Sequence, residues 1–75
     1  MTKLSQIQRG QSARVVDIVP GIAGRRLVEM GVYPGRTISM VRRAPLADPI
    51  EFSIGGTSLS LRESEADLVS VEELS

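Results

Sequence analysis

The sequence predicts an all-β fold, a small five-stranded barrel with one or two short helices, and three observations point to it. Turn signals recur throughout the 75 residues, leaving room only for strands of about 4–8 residues. The segments between them are rich in β-branched residues or alternate apolar with polar side chains, as half-buried strands do. Only one stretch, residues 22–30, carries apolar side chains at helical spacing. Strands this short would expose long edges in a flat sheet, so closure into a barrel of the SH3-like kind is the expected solution.

In chain order, Leu4-Ser5-Gln6-Ile7 reads as one helical turn or an extended lead-in anchored by Leu4 and Ile7. Gly10 punctuates before a first strand over Ser12–Val19, which stops at Pro20 and has apolar residues on both faces. Ile22 to Met30 is the helix: Ile22 or Ala23, Leu27 and Met30 share a face that should enter the core. Gly24 weakens this helix by about 1 kcal/mol relative to Ala, so packing must hold it. Gly31 ends it in the left-handed region, with Val32 packing back on the last turn.

Tyr33-Pro34-Gly35-Arg36 has the Pro-Gly centre of a type II turn. A second strand, Thr37–Arg43, sends Ile38 and Met40 one way and Thr37, Ser39 and Val41 the other. Residues 44–49, with two prolines, form a loop. Ile50, Phe52 and Ile54 then alternate with polar residues, Gly55-Gly56 makes a two-residue hairpin, and Thr57–Arg62 returns with Leu59 and Leu61 facing them. Glu63–Asp67 forms one helical turn with Ser64 as its cap, and Leu68–Val71 closes the sheet as the fifth strand.

The length allows one domain, spanning 1–75, near the lower limit for independent folding. No disulfide supplements its core, because there is no cysteine. There is no run of the ~20 apolar residues that a membrane-spanning helix needs. The polar start, Met1 to Gln6, is unlike a signal peptide, so the expected location is cytoplasmic.

Catalysis finds little to work with. Histidine is absent, lysine occurs only at position 3, and no serine has a familiar base to activate it. Glu63, Glu65 and Asp67 lie together in a polar turn where solvated acids are expected. Gly55-Gly56 lies between strands, not ahead of a helix as in a phosphate loop. No calcium-loop spacing appears, and iron would normally want imidazole, so neither a metal site nor any other cofactor is expected. These absences exclude the usual enzyme classes and leave a protein that works by binding.

Charge is balanced overall but not along the chain. Residues 1–43 hold eight basic and two acidic side chains, and residues 44–75 hold one basic and seven acidic. The bland reading is that the halves pair across the barrel; the alternative is a basic face for nucleic acid. Tyr33 and Phe52 are the only aromatics on which bases could stack, and Phe52 is in phase with the core.

Three segments together carry a family resemblance: Arg26-Leu27-Val28-Glu29-Met30-Gly31-Val32-Tyr33-Pro34-Gly35, then Arg43-Ala44-Pro45-Leu46-Ala47-Asp48-Pro49-Ile50, then Leu59-Ser60-Leu61-Arg62 with Glu65-Ala66. In this order and spacing the chain resembles the FeoA family, ferrous iron transport protein A, from Leu4 to about Val71. Ala47 stands where the family pattern expects Gly, and Met30 where it expects Leu. The resemblance implies a cytoplasmic SH3-like domain, not an enzyme, that binds and modulates FeoB, the ferrous iron permease, at its cytosolic GTP-binding domain or its membrane-proximal surface. A related barrel occurs in iron-dependent repressors, so a free-standing domain of that kind is the other family-level reading. The residues that turn and core geometry do not demand are Arg25, Arg26, Val32, Tyr33, Arg43, Leu46 and Arg62, and these are the expected partner-binding set. Oligomeric state is left open.

Overall fold

The structure, a computed structural model, describes residues 1–74. Six strands, β1 (Thr2–Lys3), β2 (Ser12–Ile18), β3 (Thr37–Arg43), β4 (Ile50–Ile54), β5 (Thr57–Leu61) and β6 (Val69–Leu74), form one sheet in the order β1-β6-β2-β3-β4-β5. Every neighbouring pair is antiparallel. Helix α1 (Ile22–Glu29) joins β2 to β3, α2 (Glu63–Ala66) joins β5 to β6, and a 3-10 turn over Leu4–Gln6 follows β1. This is the expected small SH3-like fold with one strand more than expected. The addition, β1, pairs only Thr2 with Val71 and Lys3 with Ser70, too short to leave a pattern in the sequence.

The core is built where the alternation places it. Ile38 and Met40 of β3, Ile50, Phe52 and Ile54 of β4 and Leu61 of β5 are buried, joined by Ala13, Val15, Val69 and Val71 from β2 and β6. Leu4 and Ile7 are buried beside them, so the lead-in does anchor the chain. Phe52 is fully enclosed, and burying a side chain of that size stabilises by about 2–3 kcal/mol. Gly55 and Gly56 both have positive φ, as a type I′ hairpin requires, and they set Phe52 opposite Leu59.

Two bulges correct the simple alternation. In β2, Val15 pairs with Val71 and Asp17 with Ser70, leaving Val16 as the extra residue. The apolar residues on both faces of this strand therefore reflect a bulge, and Val19 beyond it is exposed. In β3 the register shifts between Met40 and Arg42, so Arg42, which alternation would turn inward beside Met40, stays on the surface with Val41.

Helix α1 shows the largest departure. Leu27 is buried, but Ile22 is 84% and Met30 47% exposed, so neither fills the core. The reason is Gly24, which is itself buried. A Cβ there would run into the Val19 carbonyl oxygen and would lie 3.2 Å from Ile18 Cγ2. The helix thus seats its Gly24–Leu27 face directly on the end of β2, which rotates Ile22 and Met30 outward. Its end is a full Schellman motif: Gly31 N–H donates to Val28 O and Val32 N–H to Leu27 O, at 3.0 and 2.9 Å.

The other boundaries move less. Helix α2 ends at Ala66, and β6 runs on to Leu74. Ser64 is not the α2 cap; Arg62 holds that position, its N–H donating to Glu65 Oε1 at 2.8 Å.

Candidate interaction surface

Part of the uneven charge is taken up in pairs between the two halves. Arg14 meets Glu72 across β2 and β6, Arg42 meets Glu51 across β3 and β4 at 2.8 Å, and Arg43 meets Glu63 at 3.3 Å. Each pair joins a basic residue before position 44 to an acidic residue after it. Exposed pairs of this kind contribute about 0–1 kcal/mol each, and they engage three of the eight basic residues before position 44. Among the described residues, Arg25 and Arg26 on exposed positions of α1 take part in no ion pair.

The loop over residues 44–49 is held from three directions. Within it, Ala44 N–H donates to Pro49 O at 3.0 Å and Ala47 N–H to Ala44 O at 2.7 Å. From the side, Arg43 donates to the Ser5 and Ala47 carbonyl oxygens and pairs with Glu63. From the far end, Asp48 Oδ1 accepts the Glu63 N–H at 2.8 Å, capping α2 across fifteen residues of sequence. The Asp48–Pro49 peptide bond is cis. What this bracing presents is Leu46, 91% exposed.

Beside the loop, one groove of about 490 Å³ is lined by Arg42, Pro45, Pro49, Glu51 and Ser60 among others. A second, of about 290 Å³, lies between Asp48, Pro49, Ser60, Arg62 and Glu65. Pro49 and Ser60 belong to both, so the grooves adjoin, and Arg62 stands on their rim. The structure thus gathers Arg43, Leu46 and Arg62 around one loop. Arg43, however, is largely spent on internal contacts and acts as a brace.

The remaining sequence-predicted residues lie elsewhere. Val32 is fully buried as the apolar lock of the Schellman motif and cannot meet a partner; geometry requires it after all. Tyr33 is 41% exposed, but Arg36 lies over its ring with the guanidinium carbon 5.1 Å from the centroid and donates to its hydroxyl at 3.1 Å. Gly35, with φ 95°, and the Arg36 N–H to Tyr33 O bond of 3.2 Å give the expected type II turn. No hydrogen bond or ion pair among the described residues joins Arg25, Arg26 or Tyr33 to the 44–49 loop. With Phe52 enclosed and Tyr33 covered by Arg36, base stacking has little to use.

Sequence reasoning missed Arg36 and Asp48, and it misplaced Ile22 and Met30. Asp48 acts on Glu63, fifteen residues along the chain, so no local signal marks it, whereas Arg36 acts on Tyr33 within the same turn. Ile22 and Met30 could have been found, because a glycine inside a helix marks a close backbone approach and hence the buried face. Among the described residues no group of three or more His, Cys, Asp or Glu is arranged to hold a metal ion. Nor is any helix long and apolar enough to cross a membrane.

Comparison with known proteins supplies the context. The FeoA domain model matches residues 2–73. The Fe(2+) transport protein A/Fe(2+) transporter FeoB fusion protein of Porphyromonas gingivalis (strain ATCC BAA-308 / W83) is 36% identical over 74 residues, covering 97% of this chain and 9% of the fusion protein. The solution structure of iron(II) transport protein A from Clostridium thermocellum superposes with a TM-score of 0.91 at 43% identity, over 97% of this chain and 46% of that one. Stenotrophomonas maltophilia FeoA, crystallised with zinc and described as a prokaryotic SH3 domain protein, matches with a TM-score of 0.84 at 31% identity, over 96% of this chain and 91% of that one. The chain therefore spans under a tenth of the fusion protein and under half of the Clostridium chain.

Proposed function

Since this chain belongs to the FeoA family of ferrous iron transport, we propose that it is a cytoplasmic accessory module that docks on FeoB and modulates iron uptake. The observation that carries this reading is the braced 44–49 loop with Leu46 at its exposed tip. The fusion of the two proteins in Porphyromonas gingivalis supports the choice of partner, since a fused pair works at high local concentration. In this reading Leu46 enters an apolar depression on the cytosolic GTP-binding domain or its membrane-proximal surface, with Arg62 on the polar rim.

The physics favours such an anchor. Burying a leucine contributes about 2 kcal/mol. Most flexible loops lose part of that to ordering, but a loop already fixed by Arg43 and Asp48 loses little. Nothing in the mechanism requires bond chemistry: the module acts by favouring whichever state of the GTP-binding domain it binds more tightly. Arg25, Arg26 and Tyr33 form a second, separate candidate contact on α1 and the turn after it.

The test is a titration of the isolated FeoB cytosolic domain from the same organism, with and without guanine nucleotide. Leu46→Asp should weaken binding by about tenfold or more, the scale of one lost apolar anchor. Its unfolding midpoint should stay within error of the parent, since Leu46 touches solvent. Paired Arg25→Glu and Arg26→Glu changes report on the second contact. Unchanged affinity in the Leu46 variant would remove the loop from the interface.

A further inference from the structure

The two edges of the sheet are not alike. The β1 edge is two residues long and carries Lys3, a length and a charge that discourage pairing. The β5 edge, Thr57-Ser58-Leu59-Ser60-Leu61, is five residues long with no charge, no proline and no bulge. The hairpin register fixes which of its backbone groups are free. A two-residue turn closes on a hydrogen-bonded pair, here Ile54 and Thr57, so Leu59 and Leu61 also bond towards β4. Ser58 and Ser60 then point their N–H and C=O groups outward. Among the described residues neither finds a backbone partner there. Leu59 faces the core side yet is only partly buried, because no strand lies beyond it.

From this we infer that β5 pairs with β5 of a second copy of this chain, in a two-fold antiparallel arrangement centred on Leu59. In that register Ser58 of each copy faces Ser60 of the other, and all four outward pairs of backbone groups find partners. Leu59 meets Leu59 at the axis, where a non-hydrogen-bonded pair brings side chains closest. Arg62 falls beside Gly56 of the other copy, where even an added Cβ would meet nothing within 4 Å. Charge admits a second copy at this edge and not at the other: the β5 strands bring no like charges together, whereas self-pairing of the β1 edges would oppose Lys3 to itself. The contact is isologous, so it closes as a dimer and does not propagate.

The β5 edge adjoins the proposed FeoB contact at Ser60 and Arg62, but self-association is measured on this chain alone, so its failure and the failure of that docking are distinguishable. Sedimentation equilibrium of the full chain from micromolar to millimolar concentration should show a concentration-dependent monomer–dimer equilibrium. Amide exchange at Ser58 and Ser60 should slow as the dimer fills. Ser60→Pro removes an outward N–H that β4 does not use, a place where an edge strand accepts proline, and should weaken the dimer by about tenfold or more. Ser58→Lys, which introduces charge without touching the backbone, should do the same and covers the case where the proline variant misfolds. A monomer throughout the range overturns the inference, and so does a dimer that both substitutions leave intact.

Discussion

The segment from Ile18 to Arg36 and the loop from Ala44 to Pro49 both leave the sheet and return to it, yet they are held in different ways. In the first, backbone meets backbone. Gly24 lets α1 sit on the Val19 carbonyl, Gly31 closes the Schellman motif, and Gly35 turns the chain back. In the second, Arg43 and Asp48 reach to the 3-10 turn and to α2, and the one residue in the left-handed region is not glycine but Ala47, at φ 72°. A segment fixed by its own glycines is determined locally and tolerates nothing larger. A loop fixed by distant side chains keeps its outer residues free, and Leu46 is the outermost of them. That difference assigns α1 a chiefly structural part and the loop the better prospects for recognition.

Gly24→Ala probes the first segment most directly, and it sets two principles against each other. Helix propensity alone predicts a gain of about 1 kcal/mol. The new methyl group, however, would overlap the Val19 carbonyl oxygen, which is backbone and cannot rotate away. We expect the clash to win, with a net loss of about 2–3 kcal/mol in urea unfolding. A more stable variant would mean that α1 is not locked to β2, and the contrast between the two segments would collapse.

The same division decides how far the sequence could be read. Strands β3, β4 and β5, the Gly55-Gly56 hairpin and the Gly31 stop all follow from residues within one turn or one alternation of each other. The bulges at Val16 and Val41 are legible only as excess apolar residues, since a bulge depends on the partner strand. Spacing assigns Ile22 and Met30 to the core because it shows a shared face but not which face is inward. Around the loop, Leu46 could be singled out as an apolar residue with no core to enter. The brace on it could not: Arg43 is 38 residues from the Ser5 carbonyl it holds, and nothing local announces such a contact. Spacing therefore marks Arg43 only as a contact residue, while the structure adds an internal role, since it bonds Ser5, Ala47 and Glu63.

Arg43→Met tests that internal role. The substitution keeps much of the aliphatic stem and removes the guanidinium that joins Ser5, Ala47 and Glu63. With the group about a third exposed, at 31%, the loss should be about 1–2 kcal/mol, the lower part of the range for charged hydrogen bonds. The sharper signature is in the loop. Amide exchange at Ala47 should quicken, and affinity for the FeoB domain should fall although Leu46 is untouched. A contact role for Arg43 would instead weaken binding while leaving loop exchange and stability as they were.

The smallest effect is expected at Ala47→Gly, and its sign carries the argument. An L-residue in the left-handed region costs roughly 1 kcal/mol or more, and glycine removes that cost. Glycine also loses more freedom on folding, which returns about half of the gain. The net should be a stabilisation of about 0.5 kcal/mol, measured as a rise in the urea midpoint at unchanged slope. Because Arg43 and Asp48 hold the loop on either side of this residue, its conformation should survive the added freedom, and binding should change by less than about twofold. A glycine variant that is less stable, or that binds more weakly, would show that Ala47 itself stiffens the loop and that the side-chain brace is incomplete without it.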